Sequence, residues 1–460
     1  MLVVCVASAA DTDAAPPRPN FILLLADDQR PDTIHALGNQ LIETPSLDRL
    51  VTEGTAFRRA ITAFTICNQS RIELMTGCTI FRGDTFAPGK GPGQPIVPWA
   101  ETLRKAGYRT YHVGKWHNAQ TPRNWGYQET RGLFVSGGAK YARHQTDHAG
   151  REVTGYKAYV FKTPDGKVDE SKTLGGLTPD VSHHFADAAI ELIERKTEEP
   201  FFLHVNFTAP HDPLFFPPGY ETKYRAADMP LPANFLPEHP FDHGNFDGRD
   251  EQLFRWPRTP EETRDELACY YAVISDLDAQ VGRILDALDR TGQAENTVVI
   301  YSADHGLAIG SHGLRGKQNM YEHTIGVPLV VRGPGIPKGE RCHAQVYLRD
   351  LYPTACDLAG VTAPETVEGK SLKPLFTHAA TEIYPFVVSY FRDVQRAIRT
   401  DRWKLIEYPQ VQRTQLFDMV DDRDELQDLS ADPQHANDVK ELHATLHVWL
   451  KEHGDPLERE

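Results

Sequence analysis

The chain is poor in cysteine and methionine and has no long apolar run, and each shortage excludes a class of protein. Six cysteines and five methionines are spread over 460 residues. No cysteines form a CxxC pair and none stand at zinc-finger spacing from a histidine, so neither a disulfide framework nor a zinc finger is expected. Cys342 and Cys356 could pair in an oxidising compartment, but buried free thiols are the expectation. No apolar stretch approaches membrane-spanning length. Lysine and arginine (49) are outnumbered by aspartate and glutamate (64), giving a net charge of −15 that disfavours nucleic acid as a partner. An anionic substrate would need a local positive pocket against that background. GxSxG, Walker A and GxGxxG fingerprints are absent, as are internal repeats and low-complexity segments.

What remains is an ordinary soluble composition, long enough to bury a large core. Four apolar runs stand out. Residues 21–26 (FILLLA) end in Asp27-Asp28, and 109–113 (RTYHV) end in Gly114-Lys115-Trp116-His117. Residues 201–207 (FFLHVNF) lead to Ala209-Pro210-His211, and 297–303 (TVVIYSA) end in Asp304-His305. Such runs suit strands buried on both faces of a parallel sheet. Ligands of open α/β sheets sit at the carboxyl ends of the strands, so one sheet edge would collect these carboxylates, imidazoles and ammonium groups. The pattern predicts an active site with a metal ion.

Helices are expected at 47–53, at 97–106 capped by Gly107, and at 179–197 with Thr178 as N-cap and Pro179 in its first turn. The clearest helix begins at the capping box Thr259-Pro260-Glu261-Glu262 and stops at Gly292. Its junction with the strand at 297 implies a doubly wound sheet. Residues 210–257, rich in Pro, Asp and His, read as a long functional loop. Beyond residue 384 short strands at 386–391, 397–400, 404–408 and 415–419 precede a helix at 439–450, predicting a small antiparallel sheet with one helix. The acidic run 418–428 reads as a solvated turn. Three units are expected: an export signal and linker at 1–19, an α/β domain at 20–380 and a small α+β subdomain at 381–460. The signal rests on the apolar run 2–10 (LVVCVASAA) with an A-x-A-like site and no preceding basic residue.

Asp27-Asp28 at a strand end could cap a helix, but Asp304-His305 at a second strand end makes a hard-cation site such as calcium the better reading. Cys67, in Phe64-Thr65-Ile66-Cys67-Asn68-Gln69-Ser70-Arg71, opens a helix that Gly77 ends. A sulfur there lies in an electropositive field that also suits an anionic ester, although an ordinary half-buried cysteine would look the same. Lys317 lies in the polar, glycine-containing loop 313–322. Among 20 histidines most must be bystanders, and His183, His184, His239 and His243 have no comparable placement.

In combination these motifs carry a resemblance. Asp-Asp, Cys-x-x-Ser-Arg-x-x-x-x-Thr-Gly, Gly-Lys-Trp-His, Ala-Pro-His, Ala-Asp-His-Gly and Gly-Lys-x-x-x-Tyr-Glu follow in an order that resembles the type I, formylglycine-dependent sulfatases of the alkaline phosphatase superfamily, the group of arylsulfatases, choline sulfatases and iduronate sulfatases. The resemblance implies an alkaline-phosphatase-like, mostly parallel sheet flanked by helices, and one calcium ion held by Asp27, Asp28, Asp304 and His305 with residue 67. It implies that Cys67 is oxidised by a formylglycine-generating enzyme, that Arg71 holds the resulting diol, that Lys115 and His117 contact sulfate, and that His211 and Lys317 bind the ester and protonate the leaving alcohol. The family pattern has proline where this chain has Gln69. The substrate implied is a sulfate ester, with a leaning to sulfated carbohydrate, and the expected location is periplasmic or secreted. A phosphodiesterase or phosphonate monoester hydrolase of the same superfamily is the alternative enzyme. An inactive relative that binds sulfated glycans is the alternative without catalysis.

Overall fold

The computed structural model describes residues 17–83, 96–172 and 175–458, so the expected export signal lies almost wholly outside the described residues. Among the described residues nine strands form one sheet: β1 (Asn20–Ala26), β2 (Thr55–Ile61), β3 (Arg109–Lys115), β4 (Glu129–Ser136), β5 (Tyr159–Lys162), β6 (Phe201–Asn206), β7 (Thr297–Ala303), β8 (Leu329–Arg332) and β9 (Glu340–Tyr347). Their spatial order is β5-β4-β3-β6-β1-β7-β8-β2-β9. The middle of the sheet, from β4 to β7, is parallel, and β5 and β8 run against their neighbours. The four apolar runs are therefore the adjacent strands β3, β6, β1 and β7. Every residue of β1, β6 and β7 is buried, as two-sided coverage by helices requires.

Flanking the sheet are α1 (Pro45–Glu53), α2 (Cys67–Thr76), α3 (Ile80–Gly83), α4 (Trp99–Lys105), α5 (Val181–Glu194), α6 (Pro260–Thr291), α7 (Glu322–Ile325), α8 (Leu351–Ala359) and α9 (Lys373–Phe376). In α6 the Thr259 side chain accepts from Glu262 N–H, half of the expected capping box, and Gly292 closes the helix in the left-handed region. Several helix boundaries differ from expectation. Helix α5 starts at Val181, because Val181 N–H turns back to Thr178 O (3.2 Å), and Asp180 takes the N-cap position without a side-chain bond. It ends before residue 197, where Lys196 takes a positive φ of 46°. Helix α4 begins two residues late, after Pro98 in extended conformation. Helix α1 is capped from outside: Asp278 of α6 accepts from Ser46 N–H (3.1 Å) and Leu47 N–H (2.7 Å), filling the role its own Thr44 leaves open.

The C-terminal segment folds as expected. Strands β10 (Val387–Phe391), β11 (Gln395–Arg399), β12 (Trp403–Tyr408) and β13 (Arg413–Asp418) make an antiparallel sheet, and α10 (Ala436–Glu452) packs Leu442, Leu446 and Leu450 on it. The acidic run is not wholly a solvated turn. Glu425 is buried and pairs with the buried Lys404 ammonium at 2.7 Å, a partner across the sheet that composition does not reveal. The described cysteines are all free thiols.

Two features of this framework aim residues at the carboxyl edge of the large sheet. Gly114 of β3 has φ 91°, and a Cβ there would meet Asn206 O of β6 at 2.1 Å; with the register shift between Val113 and Lys115, the strand turns Lys115 inward. Helix α2 is buried on nearly every side. Its Glu73 accepts from Ile80 N–H (2.9 Å), Arg349 (3.2 Å) and Tyr390 OH, and Tyr390 N–H donates to Ala63 O (2.8 Å). The small sheet thus braces the segment that leads into α2.

Candidate active site

Asp27 and Asp28 leave β1, Asp304 and His305 leave β7, and all four are completely buried. Asp28 adopts a left-handed backbone (φ 67°), and its N–H donates to Asp304 Oδ1 (3.1 Å). Asp304 N–H returns to Ala26 O (3.2 Å), so the two strand ends are laced together. Helix α2 points its first residue, Cys67, at this cluster. Cys67 Sγ lies 3.9 Å from Asp28 Oδ1 and accepts from Lys317 Nζ at 3.5 Å. The Ser70 hydroxyl donates to Asp304 O (2.7 Å), and Arg71 Nε donates to Asp304 Oδ2 (3.0 Å), fixing the helix start against β7.

Three buried cations answer the three buried carboxylates. Lys115 pairs with Asp27, Lys317 with both oxygens of Asp28 (2.8 and 2.9 Å), and Arg71 with Asp304. His211 sits 3.7 Å from Asp28 Oδ2 through Nε2, and His305 Nδ1 sits 3.3 Å from Asp28 Oδ1. His117 stands exposed at the rim on the Cys67 side, with Asn68 Nδ2 holding its backbone carbonyl (2.7 Å). Every residue singled out in the sequence, Asp27, Asp28, Cys67, Arg71, Lys115, His117, His211, Asp304, His305 and Lys317, is thus gathered at one place.

The electrostatics are uneven. Burial raises Asp304 to about 7, helped by repulsion from Asp27, and burial also raises Asp28. Asp27 stays well below the usual carboxylate range: burial and Cys67 push it up, but Lys115, His211 and Arg71 outweigh them. Burial likewise opposes ionisation of Cys67, yet Lys115, Lys317 and His305 pull its thiol well below the ordinary value. His211, despite burial, is held up at about 9, first by Asp28 and also by Asp212.

Several partners were invisible in the sequence. Tyr156 donates to Asp27 Oδ2 (2.5 Å), lies under Lys115 Nζ (5.1 Å to its ring) and packs edge-on against His211 (4.9 Å). Asn206, the last residue of β6, accepts from Arg71 and is itself set by His112 (2.9 Å). Asp212 accepts from His211 Nδ1 through its backbone oxygen, with its carboxylate 3.2 Å away, and Arg249 clamps that carboxylate through both oxygens. The signal for Asn206 and Asp212 was only their position next to strand ends, and nothing local marked Tyr156 or Arg249.

The cluster fits a hard cation. Asp27, Asp28, Cys67 and His305 bring one potential ligand atom each to within 4.8 Å of one another, and Asp304 stands beside them. Asp27 Oδ1 and His305 Nε2 are buried without a hydrogen bond, which a bound cation would correct. An anion would meet Lys115, Lys317 and Arg71 beside the α2 N-terminus.

The chain is similar in sequence and fold to known proteins. A family model described as Sulfatase matches residues 19–361, and one described as N-sulphoglucosamine sulphohydrolase, C-terminal, matches residues 310–452. An arylsulfatase of Clostridium perfringens is 28% identical over 443 residues, covering 90% of each chain. A solved structure in complex with its substrate D-glucosamine-2-N,6-O-disulfate superimposes with a TM-score of 0.73 at 22% identity, covering 96% of this chain and all of the other. The phosphonate monoester hydrolase of Agrobacterium radiobacter superimposes with a TM-score of 0.77 at 22% identity, covering 95% and 96%.

The carboxylates around His211 set its protonation. In chelator-treated protein, NMR titration of the ring should give a midpoint near 9. Asp212→Asn removes a charge that favours the imidazolium and should move the midpoint down. A native midpoint at the ordinary histidine value would contradict this electrostatic picture.

Proposed function

Because the chain belongs to the sulfatase family and is a hydrolase of sulfuric esters, we propose that it removes sulfate from a sulfated carbohydrate, using a formylglycine made from Cys67 and one calcium ion. The observation that carries this reading is the position of Cys67: buried at a helix N-terminus, with the Lys317 ammonium on its sulfur, Lys115 close by and a carboxylate cluster beside it. Asp27, Asp28, Asp304 and His305, with residue 67, would hold the calcium, which would polarise a sulfate oxygen. Formylglycine at 67 would supply, as its hydrate, one hydroxyl to attack sulfur and a second whose deprotonation releases sulfate.

The chain's own residues supply the rest. Lys115, Lys317 and Arg71, all buried, neutralise the sulfate oxygens. His117, on the residue-67 side, moves the proton of the diol. His211 protonates the leaving alcohol, its ring turned toward the cluster by Asp212 at Nδ1 and its Nε2 left facing the pocket. Arg249 orients Asp212 and also lines an open cavity of about 880 Å³ with Arg151, Thr154, Gln252 and Arg255. The lining is mixed in charge, with Glu152 and Glu262 beside the arginines, and a polar cavity of this size next to the residues that orient His211 supports a substrate larger than a simple aryl ester. The match to the sulphoglucosamine sulphohydrolase C-terminal model supports the same class.

Gln69 is compatible with this reading. The first intrahelical bond of α2 runs from Ser70 N–H to Ile66 O (2.9 Å), so residue 69 lies in the first turn, where its backbone N–H is outside the helical bonding whether glutamine or proline stands there. The departure from the family pattern therefore bears on recognition by the formylglycine-generating enzyme and not on the finished site. Residues 20–380 would be the catalytic unit, 381–460 its C-terminal subdomain, and the protein would act after export to the periplasm or medium.

Two outcomes are expected. Exhaustive chelation, or Asp304→Ala, should abolish turnover and remove the rise in Tm that calcium gives, and unchanged turnover in either case would refute the metal assignment. His211→Ala should slow esters of poor leaving alcohols by roughly 10²–10⁴-fold and activated aryl sulfates far less. Equal losses on both would exclude His211 as the acid, and faster turnover of a matched phosphonate ester would favour the phosphonate hydrolase reading.

A further inference from the structure

A second cluster of metal-ligand type lies in the C-terminal segment, away from the catalytic residues. His443 and His447 are four residues apart on α10, so they share one face, and their ring centroids are 4.2 Å apart. Both rings converge on one carboxylate of β12. His443 Nδ1 is 2.7 Å from Glu407 Oε1, and His447 Nε2 is 3.0 Å from Glu407 Oε2. The three ligand atoms lie within 4.8 Å of one another. Glu407 is nearly buried, whereas the His443 side chain is 57% exposed, so an ion can enter from solvent and one ligand is free to adjust.

We propose that Glu407, His443 and His447 form a site for a zinc-type divalent metal. Two imidazoles and a carboxylate select zinc and its transition-metal neighbours over calcium, which takes oxygen ligands. Tetrahedral zinc at the usual bond lengths of about 2.0–2.2 Å places ligand atoms roughly 3.3 Å apart. His443 Nδ1 and His447 Nε2 lie 2.7 and 3.0 Å from the two different oxygens of Glu407, so seating one ion among them needs these contacts to open by a few tenths of an ångström and the carboxylate to turn.

His447 Nδ1 is 2.6 Å from Glu458 Oε1 in the turn after α10, and its Nε2 faces Glu407. Glu458 holds a proton on Nδ1 while a metal would take the place of the proton between Nε2 and Glu407, the arrangement that orients metal-binding histidines. Arg396, opposite Glu407 in the β-ladder, is taken up by Asp455 through two hydrogen bonds and does not compete for Glu407. Glu407 and Glu458 bring two negative charges to the cluster, which a divalent ion would meet. A bound ion would tie α10 and its following turn to β12.

The test uses the full chain, stripped by chelator and returned to excess calcium so that the catalytic carboxylates are occupied. Zinc is titrated against a colorimetric competitor and cobalt(II) is followed by its visible bands. One equivalent of zinc should bind and raise Tm, and cobalt should give the spectrum of a four- or five-coordinate ion. His443→Ala and His447→Ala should each weaken zinc binding by well over tenfold, and Glu458→Gln by roughly tenfold through the proton it fixes. Turnover should be unchanged in all three. Zinc binding equal in native protein and in His443→Ala, where the exposed position makes misfolding no explanation, would overturn the proposal. So would a cobalt spectrum that responds to Cys67→Ser and not to His447→Ala.

Discussion

The structure turns on three carboxylates, Asp27, Asp28 and Asp304, buried completely at the ends of neighbouring strands. An isolated buried carboxylate costs several kcal/mol, so such a cluster persists only if the fold delivers positive charge to each member. Lys115 arrives from β3, Lys317 from the loop before α7, and Arg71 from the second turn of α2. Each lies on a different segment, and their convergence constrains how those segments pack. Gly114 is needed because β3 must approach β6 closely before turning Lys115 inward. The arrangement that neutralises the carboxylates also gathers three cations beside the N-terminus of α2.

The scaffold around α2 serves the same constraint. Glu73 is itself buried and joins α2 to Arg349, to Tyr390 of the small sheet and to the start of α3. Tyr390 and Ser389 also bond the backbone at Ala63 and Thr62, just before Cys67. The C-terminal sheet is thereby a support for α2, and residues 310–452 are matched by a C-terminal model of their own.

Much of this was legible in the sequence because strand-end residues in a parallel sheet have predictable company. Four apolar runs gave four adjacent strands, and the polar residues after each met at one edge. What escaped reading were residues whose role depends on distant packing. Tyr156 lies in an irregular stretch and reaches Asp27 only through the tertiary fold. Arg249, inside the long loop, reveals its purpose only against Asp212. Asp278 caps a helix more than two hundred residues away in the chain, and Glu425 hides within an acidic run that looked solvated. Local pattern reports periodicity and turn chemistry, whereas these contacts are set by which surfaces meet.

The central claim is that residue 67 works as a formylglycine despite Gln69. Mass analysis of the peptide containing residue 67, from protein made in its native host and assayed in the same preparation, tests it most directly. The account predicts an aldehyde or its hydrate at residue 67, in a fraction that rises and falls with sulfate-ester turnover across preparations. Thiol alone at residue 67 in a preparation that still hydrolyses sulfate esters would contradict it, as would thiol alone in correctly produced protein that has no turnover.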